Sequence, residues 1–171
     1  GLTALLGSPV AHSISPLMHN ESFRLLGLDY VYLCFDVNEE TLPAAVAGLK
    51  TCGIRGFNLT MPNKNKIVEL LDELSPEAQL IGAVNTVLND NGKLIGYNTD
   101  GYGFMQSVRD AGHDITGKNI TVMGVGGASM AICAQSALDG AASVHIFARR
   151  TSRYWNRTQK FAENLSAKTG C

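Results

Sequence analysis

Apolar runs that alternate with helix-period stretches constrain this chain more than any other feature. Strand-like TALLG (3–7), helix-like PLMHNESFRLLG (16–27), strand-like YVYLCFDV (30–37), helix-like EETLPAAVAGLKTCG (39–53) and strand-like GFNLT (56–60) follow one another through short connections. The order is β-α-β-α-β. Ser15 as N-cap, Pro16 at the first helical position and Gly27 as a left-handed closing residue bound the first helix.

A helical stretch NKIVELLDEL (65–74) leads into SPEAQLIG (75–82), where Ser75 caps and Pro76 opens a second helix. AVNTVLND and GKLIGYNTD straddle Asp90-Asn91-Gly92, and Asn-Gly between two alternating runs predicts a hairpin over 83–97. A helix over 100–112 closes at Gly112. The composition changes near His113. A β-branched run ending in glycines (115–129), a helix-length stretch (130–140) and strand-like SVHIFARR (143–150) form a second β-α-β unit. The fold class is therefore α/β: a first domain over 1–112, then the beginning of a second α/β domain over 113–171.

Composition narrows the ligand. With 45% hydrophobic and 17% charged residues the chain can bury a sizeable core, and its net charge of −1 provides no general field to attract nucleic acid or an anionic membrane. Any anion must be held by a local cluster, which predicts a small-molecule substrate. Cys34, Cys52, Cys133 and Cys171 form no CxxC pair and no metal-ligand spacing, so free thiols in a reducing compartment and no metal site are expected. The start GLTALLGSPVAHS has no basic n-region or long apolar stretch, and nowhere do 18 apolar residues run together; the expectation is a cytoplasmic protein. Nothing in the patterning specifies an oligomeric state.

Gly124-Val125-Gly126-Gly127-Ala128 sits where a strand over 119–123 hands over to a helix. A phosphate-binding turn needs glycine there, because side chains would keep the pyrophosphate from backbone N–H groups and from the positive end of the helix. The third glycine position of G-x-G-x-x-G is Ser129, and glycines alone also fit a tight packing turn. After the next strand, where an NAD site carries an acidic residue, stand Ala148-Arg149-Arg150 and then Arg153. Guanidinium forks match the geometry of a ribose 2′-phosphate, which favours NADP, with NAD as the alternative cofactor. The duller explanation is an exposed basic helix start.

The first domain offers Ser13 and Ser15 in HSISP, Asn58, Thr60 and Lys64 in NLTMPNK, Asn85 in AVNT and Asp100 in YNTDG, each at or just past the end of an expected strand. In open α/β sheets ligands bind outside the carboxyl ends of strands, so these loops can converge on one crevice. Hydroxyls, amides, an ammonium and a carboxylate suit a polyhydroxylated ligand. A lysine paired with an aspartate in a cleft can exchange protons near neutral pH. Taken singly, Ser15 and Asp100 could be helix caps, Asn58 a turn residue and Lys64 a solvated surface group.

Taken in order, GSPVAHSISPLMHN, GFNLTMPNK, GAVNT, GYNTDGYG and GVGGAS closely resemble the shikimate dehydrogenase family, and MPNK with the double arginine looks most like its quinate/shikimate dehydrogenase branch. The resemblance runs over essentially the whole chain. It implies an enzyme of aromatic amino-acid biosynthesis that interconverts 3-dehydroshikimate and shikimate with NADP(H), with quinate as a further substrate. It further implies that Ser13 and Ser15, helped by Thr60, hold the substrate carboxylate, that Asn85 and Asp100 bind ring hydroxyls, and that Lys64 exchanges the proton. The cofactor would lie on Gly124, Gly126, Gly127 and Ala128, with Arg149, Arg150 and Arg153 at its 2′-phosphate. The family's Asn-Arg-Thr after the second Rossmann strand is replaced by Ala148-Arg149-Arg150. The chain stops after the first β-α-β-α of one Rossmann half, so as it stands it is expected to read as a truncated fragment with weak binding and little turnover. Two rival readings are a non-catalytic sensor of a dinucleotide or shikimate-like acid, and a reductase of another carbonyl compound, such as a folate or tRNA-linked one.

Overall fold

Strand β1 (Leu2–Gly7) is an interior strand of the first sheet: β2 (Val31–Asp36) pairs with it in parallel on one side and β3 (Gly56–Leu59) on the other. Helices α1 (Ser15–Leu25) and α2 (Leu42–Thr51) make the two crossovers, so the β-α-β-α-β order expected from the sequence is present. The second half of β1 is buried residue after residue, as a strand covered on both faces must be. Leu6, Leu42, Ile54, Ile67, Val84 and Val87 fill the core around it.

The computed structural model describes residues 1–152 and 154–171. Its chain divides into two units, Gly1–Ser75 with Gly82–Tyr97, and Pro76–Ile81 with Asn98–Cys171. Residues 98–112 thus group with the second unit, whereas the sequence boundary near 113 marks where the second β-α-β pattern begins.

In the first unit the sheet continues from β3 to β5 (Thr86–Asp90), β6 (Lys93–Tyr97) and the two-residue β4 (Glu73–Leu74), in the order β2-β1-β3-β5-β6-β4. β5 and β6 are the expected hairpin. Asn91 and Gly92 have φ of 53° and 95°, the two positive values a type I′ turn requires, and the Gly92 N–H donates to Asn89 Oδ1 at 2.8 Å.

Two local expectations are corrected. The helix expected over 65–74 is a single 3₁₀ stretch, Lys66–Leu70, after which Leu71 is extended with ψ of 145°. Asp72 N–H donates to Leu94 O at 3.0 Å and Ser75 N–H to Gly96 O at 2.8 Å, so pairing with β6 overrides the helical period and creates β4. Ser15 is also not the N-cap of α1: it is the first helical residue, Ile14 occupies the cap without a side-chain bond, and the hydroxyl that accepts the Ser15 N–H, at 3.2 Å, is that of Ser13.

The second unit holds α3 (Pro76–Ile81), α4 (Asp100–Asp110), β7 (Asn119–Met123), α5 (Gly127–Leu138), β8 (Ser143–Phe147) and α6 (Trp155–Thr169). β7 and β8 are parallel, in register from Asn119 opposite Ser143 to Met123 opposite Phe147. α5 is the centre of this unit: Met130, Ala131, Cys133, Ala134 and Ala137 are buried, and α3, α4, α6 and both strands pack on it.

Candidate active site

The loops that leave β1 and β3 border one groove of about 540 Å³, lined among others by Ser8, His12, Ser13, Ser15 and Thr60. Thr60 is held beside β1 because its N–H donates to Leu6 O at 3.0 Å, and Ser8 N–H ties the two loops by donating to Met61 O at 2.9 Å. The approach depends on Gly7: a Cβ there would fall inside van der Waals distance of Thr60 Cγ2 and 3.0 Å from Met61 O. Four hydroxyls, those of Ser8, Ser13, Ser15 and Thr60, line this groove, and each can donate to a carboxylate.

Lys64 follows in the same loop and is half-buried. Its carbonyl accepts the Val84 N–H at 2.8 Å, which places its backbone one residue from that of Asn85. Asn63, fully buried, anchors the loop from beneath, its Nδ2 donating to Val37 O at 2.7 Å. Asn85 is buried at the mouth of β5, with its N–H on Tyr97 O at 3.0 Å and its carbonyl accepting from Leu59 N–H at 2.9 Å. Ser13, Ser15 and Thr60 are therefore brought together on the groove, and Lys64 and Asn85 are tied to the same end of the sheet.

Asn58 has a different setting. It lines, with Tyr32, His19, Phe57 and Thr86, a separate cavity of about 270 Å³. Its amide is bonded to Tyr32, Asn85 and Thr86. The sequence singled out neither Tyr32 nor Thr86; both read as ordinary strand residues, although Tyr32 is buried between exposed Val31 and Leu33 and Thr86 is half-buried.

Asp100 belongs to the second unit, where it is the first residue of α4 behind Thr99 at the cap. Its N–H donates to Asn98 Oδ1 at 3.2 Å, so Asn98, not Asp100, supplies the capping oxygen. A carboxylate in that first turn is favoured by the helix dipole.

The glycine turn and the end of β8 border a groove of about 550 Å³ lined by Gly124, Gly126, Ala148, Arg149, Ser152 and Tyr154, among others. Gly126 is the N-cap of α5 and Gly127 its first residue, with Ala128 next; the helix start carries no side-chain cap and no acidic residue in its first turn. A Cβ at Gly126 or Gly127 would meet nothing within 4 Å, so no other atom crowds the glycine turn on that side. This fits a phosphate group held at a helix N-terminus. Arg149 is exposed on the groove and Arg150 is exposed beside it. The expected role of Arg153 falls outside the described residues. Among the described residues no group of three or more His, Cys, Asp or Glu could hold a metal, and no helix is long and apolar enough to cross a membrane.

An α/β unit with a hydroxyl-lined groove at its strand ends, joined in the chain to a β-α-β-α unit with an uncapped glycine turn, defines a two-part protein: a small-molecule domain and the start of a Rossmann-type dinucleotide domain. Residues 5–87 match the family model of the shikimate dehydrogenase substrate binding domain. The chain is 51% identical over 170 residues to the curated shikimate dehydrogenase (NADP(+)) of Listeria monocytogenes serotype 4b (strain F2365), an overlap of 99% of this chain and 58% of that protein. The crystal structure of shikimate 5-dehydrogenase from Listeria monocytogenes, in complex with shikimate and NAD, matches with a TM-score of 0.97 at 49% identity, covering 99% of this chain and 58% of that one. The ligand-free 5-ketofructose reductase of Gluconobacter sp. strain CHM43 matches with a TM-score of 0.91 at 36% identity, covering 98% and 59%. The chain thus spans somewhat more than half the length of these relatives, and over nearly all of its own length it is similar to members of the shikimate dehydrogenase family.

Proposed function

We propose that this chain is part of an NADP-dependent shikimate dehydrogenase, a cytoplasmic enzyme of aromatic amino-acid biosynthesis that interconverts 3-dehydroshikimate and shikimate and also accepts quinate. The observation that carries the reading is the gathering of Ser13, Ser15 and Thr60 on one groove, inside the stretch that matches the substrate binding domain of this family. In functional terms residues 1–112 hold substrate and catalytic groups, and residues 113–171 begin the cofactor domain.

The substrate carboxylate takes hydrogen bonds from Ser13, Ser15 and Thr60, which fixes the ring in one orientation. Asn85 and Asp100 bind ring hydroxyls. Lys64 gives a proton to the oxygen on which charge develops during reduction and takes it back during oxidation, while Asp100 orients the reacting hydroxyl. The N–H groups of the Gly124–Ala128 turn hold the pyrophosphate, and Arg149 and Arg150, with Arg153, hold the 2′-phosphate. When bound, NADPH supplies the hydride.

A second reading has one specific observation behind it, the likeness to a 5-ketofructose reductase: the same groove could take a polyhydroxylated ketone without a carboxylate. An assay of the intact gene product decides between them. Oxidation of shikimate with NADP, faster than with NAD and with slower turnover of quinate, is the expected result. Turnover of 5-ketofructose with neither acid oxidised would replace the first reading by the second.

A further inference from the structure

We propose that Tyr32, Asn58 and Thr86 form a directional hydrogen-bond relay that fixes which end of the Asn85 carboxamide faces the substrate, making Thr86 and Tyr32 positioning residues for hydroxyl recognition. The inference rests on the reading of Asn85 as a ring-hydroxyl ligand.

The polarity follows from groups whose roles cannot change. The backbone carbonyl of Asn85 can only accept, so the Asn58 amide must turn its Nδ2 toward it, at 3.2 Å. The second proton of the same Nδ2 goes to Thr86 Oγ1 at 3.0 Å. Asn58 Oδ1 is then the end that faces Tyr32, whose hydroxyl donates to it at 2.8 Å. Burial pushes the Tyr32 phenol well above its ordinary value, so it remains a donor throughout the working pH range. The ring itself is fixed: His19 stacks on it at 4.3 Å, and Asn20 clamps its backbone with Nδ2 on Tyr32 O at 3.0 Å and Oδ1 accepting from Tyr32 N–H at 2.8 Å.

Thr86 therefore receives a proton from Asn58 and gives its single hydroxyl proton to Asn85 Oδ1, at 3.1 Å. Flipping the Asn85 amide would set an NH2 group against that hydroxyl proton and leave it without its acceptor. The carbonyl end of Asn85 is thereby committed to Thr86, which fixes the NH2 end as the donor that the side chain turns the other way. A hydroxyl held this way accepts from Asn85 and keeps its own proton to give elsewhere. Valine at 86 preserves the shape of threonine but breaks the relay at its last link.

The test compares Thr86→Val, Thr86→Ser and Tyr32→Phe in the intact gene product, with shikimate as the varied substrate and NADP saturating. Thr86→Val is expected to raise KM for shikimate about tenfold with kcat within about twofold of the parent, because the contact is made equally in the ground and transition states. Thr86→Ser restores the parent KM, and Tyr32→Phe raises it by a smaller factor of about two to three. A KM for Thr86→Val within twofold of the parent, or a serine variant no better than the valine one, overturns the relay, as does a lowered Tm with unchanged KM. If the valine variant does not fold, Tyr32→Phe decides, and a KM equal to the parent's then overturns the relay. A parent protein that oxidises neither shikimate nor quinate would instead remove the assignment of Asn85 on which the relay depends.

Discussion

Gly101 of α4 lies directly against the Ala131 carbonyl of α5: a Cβ at position 101 would fall inside van der Waals distance of that oxygen and 2.8 Å from Gln135 Cβ. Alanine is the better helix former by about 1 kcal/mol, yet the obstacle here is backbone, which cannot rotate away. Overpacking of this kind destabilises by about 1–3 kcal/mol, so Gly101→Ala is expected to lower stability in a denaturant titration despite its propensity advantage. An unchanged midpoint would mean that α4 and α5 separate at no energetic expense.

Gly124 and Gly126 differ in why they are glycine. Gly124 has φ of 114°, with the nearest atom to an added Cβ, Ser129 Oγ, at an ordinary 3.6 Å, so the barrier to a side chain is conformational, not spatial. Gly126 has φ of −78° and open space around it. Gly124→Ala should therefore reduce stability by about 1–2 kcal/mol and weaken the cofactor as well. Gly126→Ala should leave Tm unchanged or slightly raised and raise KM for NADP about tenfold or more, since its methyl would occupy the space of the pyrophosphate. Thermal melts paired with cofactor titrations separate the two.

Lys64 is proposed to move the proton, so Lys64→Met should lower kcat by about 100-fold or more while KM for shikimate changes by less than about fivefold. Steady-state kinetics with both substrates varied gives the split. A large rise in KM with kcat preserved would make Lys64 an anchor only.

Arg149 lines the nucleotide groove. If it pairs with a 2′-phosphate, Arg149→Ser removes a charge-assisted contact and should lower kcat/KM with NADP by about tenfold to 100-fold while leaving the NAD value nearly constant. Equal losses with both cofactors would place the guanidinium on a group they share.

Burial raises the Cys133 thiol from its ordinary 9.0 to about 11. A thiol that ionises later in the folded than in the unfolded chain gives up a proton on unfolding between those values. Its contribution is thus complete below pH 9.0 and lost as pH rises toward about 11, a change of about 2–3 kcal/mol. Denaturation midpoints measured across that window should fall, and the fall should be smaller for Cys133→Ala.

Much of the fold was legible because its signals are local. The Asn91-Gly92 turn announces the hairpin through the positive φ both residues adopt, and the glycine run announces the strand-to-helix handover at 124–127. What failed locally was decided at a distance. NKIVELLDEL has a helical period, but the bonds from Asp72 and Ser75 to β6 claim its second half. Ser15 before Pro16 reads as the cap of α1, but Ile14 takes that position and the Ser15 N–H bonds to Ser13 Oγ, a contact that no local propensity announces. The groove residues Ser13, Ser15 and Thr60 were readable from motif order; Thr86 and Tyr32 were not, because a hydroxyl on a strand carries no sign of what it bonds to across the sheet.

The chain passes between its two units at 75/76, 81/82 and 97/98, and α3 is the short excursion between the first two of these passages. Ala78, Leu80 and Ile81 of that helix are buried, and α3 packs on α5 and α6. Severing the backbone once at 97/98 would release a piece that still carries α3 stripped of its cover, its buried side chains turned to water. Anyone seeking the first lobe as an independent reagent would have to replace residues 76–81 by a short polar bridge, and not merely shorten the reading frame.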